Sequence, residues 1–344
     1  MSDFHFLKIK DIEKLTSNSI AVSFDIPNEL KNKFNFYSGQ YITLESIINE
    51  EKVRRSYSIC SSPKEGLRIG IKKLEGGLFS SHAIDKFKKG DIIKVSSPEG
   101  RFYFKKSKKK EIITGIAAGS GITPILSIAK SVLNMNNENE FRLIYGNKSR
   151  TDEMFSNDIL NLKSKFSKRF ILINTYSRIS ESKSLFGRIN NSTLNYYREN
   201  YGVANKYYIC GPEEMIQKLS AELINIGILK TNIYFELFKT KKKYSSNSVE
   251  KSESIIEIIY EGITHKINNH SGKTILDAAL DSNIDVPYSC QGGVCSACIT
   301  KLISGNVTMD NNQILTEEEV NDGLVLACQS ISKDKYLKIN FDDV

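Results

Sequence analysis

The 344-residue chain has no long apolar run, only four histidines and no internal repeat. A membrane-spanning helix needs about 20 consecutive apolar residues, and none are present. Residues Met1–Lys10 alternate polar and apolar positions and meet charge at once, so they lack the apolar core of a secretory signal. The expected location is therefore cytoplasmic, with no membrane partner. His5, His82, His265 and His270 fall in no Glu-x-x-His or facial-triad pattern, which excludes a histidine-built iron site on this chain. With 40% hydrophobic and 26% charged residues, the composition excludes a disordered or collagen-like chain. The length is about twice that of a common domain, so two or three domains are expected.

What the chain does have is clustered cysteine. Of Cys60, Cys210, Cys290, Cys295, Cys298 and Cys328, four lie in the last fifth of the sequence. A large intracellular protein has no need of disulfide staples, and the clustering points to a metal centre. Cys290-x4-Cys295-x2-Cys298, then Cys328, is the plant-type spacing for a 2Fe-2S cluster held by four thiolates. Gln291, Gly292, Gly293, Ser296 and Ala297 keep the loop free of bulk, and backbone N–H groups there can donate to the sulfides. A structural zinc site is the alternative, although zinc sites usually pair two Cys-x2-Cys knuckles. Cys60 reads as a small buried hydrophobe.

The first hundred residues read as β. Alternating runs at Ser19–Phe24, Gln40–Leu44, Leu67–Ile71 and Asp91–Val95 are separated by Gly, Pro and Asn, as in a small antiparallel barrel. From about residue 111 apolar strands (Ile112–Ile113, Phe141–Tyr145, Phe170–Ile173, Tyr207–Cys210) alternate with helices, which predicts an α/β parallel sheet. Two helices are expected to open on Pro124 and Pro212, where a missing N–H costs nothing, the first with an apolar stripe of Ile125, Ile128, Ala129 and Val132 and the second with Met215, Leu219 and Leu223. Residues 239–249, rich in Lys, Ser and Asn, read as a linker. A third unit follows, with strands at Ile255–Tyr260 and Thr264–Ile267 and a helix at Thr274–Leu280. The expected boundaries are 1–108 for the barrel, 109–238 for the α/β domain, 239–252 for the linker and 253–344 for the cysteine-bearing domain.

Arg55-Ser56-Tyr57-Ser58 offers a bidentate fork for a diphosphate, a flat aromatic face and a hydroxyl. Gly76-Gly77-Leu78-Phe79-Ser80 places flexible residues and N–H groups where a phosphate can sit at a helix start. Gly119-Ser120-Gly121-Ile122-Thr123-Pro124 follows a strand and opens a helix, so a dinucleotide diphosphate can approach its backbone. Together with Cys210-Gly211-Pro212, Phe235-Glu236-Leu237-Phe238 and the four-cysteine set, this order resembles the ferredoxin–NADP reductase family with a C-terminal plant-type ferredoxin domain, over essentially the whole chain.

The resemblance implies an FAD-binding β-barrel, an NAD(P)-binding α/β domain and an α+β (β-grasp) 2Fe-2S domain. It implies that Arg55 binds the FAD diphosphate, Tyr57 stacks on the isoalloxazine and Ser58 lies near N5, with Lys72, Gly76, Gly77 and Ser80 completing the site. Gly119, Gly121 and Thr123 would hold the nicotinamide nucleotide, Cys210 and Glu236 would approach the hydride-transfer site, and Phe238 would cover the flavin. That last position is typically Tyr in the plant enzymes. Ser177-Arg178 stands where NADP-dependent relatives place a pair for the 2′-phosphate, which favours NADPH; an exposed loop arginine on an NADH enzyme is the alternative. Cys290, Cys295, Cys298 and Cys328 would hold the cluster.

The implied activity is an NAD(P)H oxidoreductase feeding a separate di-iron oxygenase. Phe4-His5, the Cys290–Cys298 loop and Val325–Gln329 are most similar to reductases serving phenylacetyl-CoA epoxidases. Reductases of steroid or aromatic-ring oxygenases share much of the pattern, and a redox sensor without turnover is the alternative of another class. The net charge of +8 is an average of opposites. Residues 253–344 hold 14 Asp and Glu against 6 Lys and Arg, a net of −8, while residues 1–252 hold 26 against 42, a net of +16. The expectation is that the basic part attracts the acidic part or an acidic partner surface; nucleic acid is not needed to explain the lysines.

Overall fold

The computed structural model describes residues 4–105, 107, 109–238, 254–269 and 272–344. The expected linker, Lys106, Lys108 and His270 therefore lie outside the described residues. The described chain forms two units, Phe4–Phe238 and one within Lys239–Val344.

The first unit begins with an antiparallel sheet. Its elements are β1 (Phe4–Thr16), β2 (Ser19–Asp25), β3 (Tyr41–Ile48), β4 (Glu51–Ser58), β5 (Arg68–Lys72), α1 (Leu78–Lys86) and β6 (Ile92–Ser96). The strand order is β4-β3-β6-β1-β2-β5. A bridge between Ile59 and Ile69 links the end of β4 to β5, so the sheet curls back on itself as a barrel. Leu7, Ile9, Val22, Ile42, Leu44, Ile69, Ile71 and Val95 fill its interior. They alternate with polar residues because strand side chains have a period of two.

The chain continues through β7 (Ile112–Ala118), α2 (Ile122–Met135), β8 (Glu140–Asn147), α3 (Ser156–Lys165), β9 (Phe170–Tyr176), β10 (Leu185–Phe186), α4 (Asn191–Tyr201), β11 (Lys206–Cys210), α5 (Glu213–Asn225) and β12 (Ile233–Glu236). Its parallel sheet has the order β10-β9-β8-β7-β11-β12. The chain steps outward from β7 and then returns to β7's other side at β11, and the carboxyl ends flanking such a reversal form a ligand crevice.

The helix starts differ slightly from the expectation. α2 begins at Ile122, placing Pro124 within its first turn, and Pro212 is the N-cap of α5. Both positions still lack an intrahelical acceptor for an N–H, so proline remains harmless. The expected stripe of α2, Ile125, Ile128, Ala129 and Val132, is fully buried, each large side chain contributing about 2 kcal/mol by burial. On α5 the inward residues are Ile216, Leu219 and Leu223, with Met215 half-buried.

A charge network ties the barrel to the α/β sheet. Arg68 of β5 donates to both carboxylate oxygens of Asp158 of α3, at 3.0 and 3.2 Å. Lys130 of α2 reaches the same carboxylate at 2.8 Å and Glu65 at 3.3 Å, and Arg68 also pairs with Glu13. Cys60 is buried beside this network, as expected of a small hydrophobe, and its thiol donates to the Arg68 carbonyl at 3.2 Å.

The second unit contains β13 (Ser254–Tyr260), β14 (Ile263–Asn269), α6 (Ile275–Asp281), β15 (Ile299–Ser304), β16 (Val307–Met309), α7 (Glu317–Asn321), β17 (Leu324–Leu326), β18 (Ser330–Ser332) and β19 (Tyr336–Asn340). Its main sheet is mixed, in the order β14-β13-β19-β15-β17, with β13 and β19 parallel. Thr274 caps α6 by accepting the Asp277 N–H at 3.1 Å while Asp277 reaches back to Thr274, a capping box that starts the helix where the sequence places it. Ile275, Leu276, Ala278 and Ala279 pack it on Ile256, Ile258, Leu337 and Ile339, the arrangement of a β-grasp.

Candidate redox sites

In the first unit the site is built at strand ends. Cys210 ends β11 and is in register with Ala117 of β7 on one side and Glu236 of β12 on the other, so its neighbours are about 4.8 Å away across the sheet. Ser58 ends β4 of the barrel, and its hydroxyl donates to Glu236 Oε2 at 3.1 Å. Ser58, Cys210 and Glu236 are thus brought to one place from three distant parts of the chain. Burial lifts the Glu236 carboxyl from its ordinary range to about 8, against the opposing Ser58 hydrogen bond. Burial, and then the charge of Glu236, hold the Cys210 thiol well above its usual pKa. A neutral thiol is a packing and contact group rather than a nucleophile.

Alternation along β4 separates two adjacent arginines. Arg54 is buried and pairs with Glu45 at 2.6 Å, with Lys94 on the same carboxylate at 2.9 Å. Arg55 is exposed on the opposite face, with Tyr57 two residues on. The Tyr57 ring packs against Phe79 at 5.9 Å, and burial raises its hydroxyl pKa. Lys72, at the end of β5, has its ammonium pKa lowered by burial, against the opposing charge of Asp152.

Gly76 has φ +69° with open space where a Cβ would stand, and Gly77 is the N-cap of α1. The buried Ser80 hydroxyl accepts the Leu74 N–H at 3.1 Å, so it braces this turn from within. The two glycines of the Gly119-Ser120-Gly121 turn do different things. Gly119 has φ +54° and faces open space, whereas a Cβ on Gly121 would lie 2.2 Å from the Cys210 carbonyl oxygen. Thr123 turns its hydroxyl to the Ser120 carbonyl at 3.0 Å and its methyl toward Gly70 of the barrel.

Ser177 and Arg178 follow β9. Their N–H groups donate to the carbonyls of Asn147 and Lys148, both at 3.0 Å, and the Arg178 side chain is exposed. Phe238, just after β12, is 39% exposed. Sequence reasoning missed the neighbouring polar nest. Asn147, ending β8, is buried with neither amide atom in an aligned hydrogen bond, and Asn174 Oδ1 on β9 is likewise unmatched. The Tyr176 hydroxyl donates to the buried Glu153 at 2.7 Å. The available signal was polar Asn147 following the apolar run Leu143-Ile144-Tyr145 at the end of β8.

In the second unit, Cys290, Cys295, Cys298 and Cys328 are all free thiols. Cys290 has Cys295 and Cys328 as near neighbours, and Cys328 has Cys298. Among the described residues no three His, Cys, Asp or Glu side chains converge on a point that one ion could occupy. The Gly292 N–H donates to Cys290 Sγ at 3.4 Å. Gly293 has φ +73°, and a Cβ there would fall 2.4 Å from the Asn311 carbonyl oxygen. Asn311 in turn donates to the Gly292 carbonyl at 2.7 Å.

Residues 6–104 match the oxidoreductase FAD-binding domain, 116–221 the oxidoreductase NAD-binding domain and 258–333 the 2Fe-2S iron–sulfur cluster binding domain. The chain is 33% identical, over 99% of both sequences, to a component of the 1,2-phenylacetyl-CoA epoxidase of Escherichia coli K12. It belongs to the ferredoxin–NADP reductase family with a C-terminal 2Fe-2S domain. This reductase is also 27% identical, over 97% of its length and 96% of the relative's, to the ferredoxin reductase component of a Rhodococcus rhodochrous 3-ketosteroid-9-alpha-monooxygenase. Its fold is similar to that of phthalate dioxygenase reductase, with a TM-score of 0.63, 22% identity and 98% of both chains covered.

The reductase is therefore an NAD(P)H oxidoreductase that uses FAD and a 2Fe-2S cluster. The residues present fit these groups. Four free thiols without a competing disulfide, one of them accepting the Gly292 N–H, suit a two-iron cluster, and the buried Asn147 amide ending β8 with the unmatched Asn174 Oδ1 on β9 suits a polar nucleotide. No helix among the described residues is long and apolar enough to cross a membrane.

Proposed function

We propose that this reductase is the electron-input component of a multicomponent oxygenase, drawing on NADPH and serving a separate di-iron oxygenase that acts on phenylacetyl-CoA. The observation that carries the input side is the convergence of Ser58, Cys210 and Glu236 at the crevice. The 33% identity to an epoxidase component over the full length, against 27% to the steroid-system relative, favours the phenylacetyl-CoA partner. FAD, when bound, takes a hydride from the nicotinamide and passes electrons singly to the 2Fe-2S cluster.

This chain's own residues would prepare that chemistry. Residues 1–108 would hold FAD, with Arg55 on its diphosphate, Tyr57 against its ring, Lys72 completing the site and the Gly76–Ser80 turn at its phosphate. Residues 109–238 would hold the nucleotide. There Gly119 leaves backbone room, while Gly121 and Thr123 seat the turn on Cys210 and the barrel. Glu236, protonated at neutral pH, would keep a proton at its carboxyl beside the Ser58 hydroxyl, and buried Cys210 would exclude water. Phe238 would cover the flavin ring. Ser177 and Arg178 would select the 2′-phosphate, a dianion suited to a guanidinium fork. In the domain proposed to follow a 239–252 linker, at 253–344, the four cysteines would ligate the cluster.

Anaerobic mixing tests the reading. NADPH should bleach the flavin faster than NADH does, and Arg178→Ala should slow only the NADPH reaction, by about tenfold or more, since a charge-assisted hydrogen bond is worth about 1.5–3 kcal/mol. Failure of both nicotinamides to bleach the flavin would sink the enzyme reading and leave a redox sensor. A di-iron protein that accepts electrons from the reductase and epoxidises phenylacetyl-CoA would identify the partner; coupling only to a steroid or aromatic-ring oxygenase would exclude it.

A further inference from the structure

We propose that Gln329 is a positioning residue of the cluster site, whose side-chain amide donates to the Cys328 sulfur and holds the cluster's reduction potential up. Cys328 stands apart in sequence from the loop that carries the other three cysteines. Gln329 follows it directly, and its side chain folds back over that loop. Its amide nitrogen lies 3.6 Å from Cys328 Sγ, 2.7 Å from the Cys328 carbonyl oxygen and 3.2 Å from the Gln291 carbonyl oxygen. Two carbonyls on the same atom fix which end of the amide is the nitrogen, because only a donor suits that place. The stem is held as well: an added Cβ on Gly293 would lie 3.0 Å from Gln329 Cγ, so the absence of a side chain there gives Gln329 its seat.

Two N–H bonds thus face three acceptors, and a ligating thiolate carries the most negative charge of the three. Charge-assisted hydrogen bonds are roughly twice as strong as neutral ones. Reduction adds negative charge to the thiolates, so a donor at sulfur favours the reduced form and raises the potential. The Gly292 N–H does the same at Cys290 from the backbone, but Gln329 is the contact that a substitution can remove.

This inference rests on the 2Fe-2S assignment, which the visible spectrum of the unmodified reductase tests separately. Gln329→Met keeps length and volume and removes the donor. The full-length protein should retain its cluster absorption, its iron–thiolate Raman bands should move up, and its reduction equilibrium should weaken about tenfold, which is about 59 mV for one electron. An intact cluster with unchanged potential overturns the proposal. Should Gln329→Met not hold a cluster, Gln329→Asn withdraws the same amide by one methylene, with the same downward shift expected and an unchanged potential again overturning it. Loss of the cluster in both variants would place Gln329 in loop folding and equally overturn it.

Discussion

Glu236 shows how far a residue's chemistry departs from its type. An ordinary carboxylate is ionised at neutral pH, but burial at the end of β12 brings this one to about 8. The folded chain therefore keeps a proton that the unfolded chain has released. Its contribution to stability falls as pH rises from the ordinary carboxylate range to about 8, and is level above that. We expect the rate of flavin reduction by NADPH to fall through about pH 8. Glu236→Gln, which stays neutral, should flatten that alkaline limb in stopped-flow measurements. It should also show a smaller loss of melting temperature between pH 5 and 9 than the parent. A limb that persists unchanged in the variant would assign the titration elsewhere. The family resemblance implies a place for Glu236 near the hydride-transfer site, but its pKa depends on desolvation and on Ser58, 178 positions away, which no local pattern encodes.

Among the elements, the turn from β7 into α2 separates two glycines that look equivalent in sequence. At Gly119 an alanine meets open space and strains only the left-handed backbone, a cost of about 1–2 kcal/mol. At Gly121 the added carbon would meet the Cys210 carbonyl at 2.2 Å, and since both lie on the buried helix–sheet contact we expect a loss of about 3 kcal/mol. Denaturant midpoints of Gly119→Ala and Gly121→Ala should differ in that order, and equal midpoints would contradict the close packing of α2 on β11. The strands and the α2 stripe were legible because apolar periodicity is local. The helix starts moved by one or two residues because proline is tolerated throughout a first turn, and Asn147 was missed because its burial comes from neighbouring strands.

Across the first unit, barrel and α/β sheet are tied by Asp158, which faces Lys130 and Arg68. Burial on its own would raise the Asp158 carboxyl, but the two cations outweigh it and hold it below its usual range. A depressed carboxyl contributes stability above its unfolded pKa and loses it as pH falls through the folded value. Asp158→Asn should cost about 2 kcal/mol at pH 7, because it removes the most buried partner of Lys130 and Arg68 and leaves them only the more exposed Glu65 and Glu13, and should show a shallower loss of stability between pH 5 and 3. A full-size acid limb in the variant would place that titration on another group. Cysteine spacing, strand–turn–helix motifs and composition are local properties, so the bare sequence already carried the two-iron domain, the order of the nucleotide-binding domains before it and the opposite charges of the two parts. Folding in three dimensions settled which of Arg54 and Arg55 is exposed, that Gly121 and Ser80 serve packing, and that Ser58 meets Glu236. Those outcomes follow from strand register and burial, which are set by residues far apart in the chain.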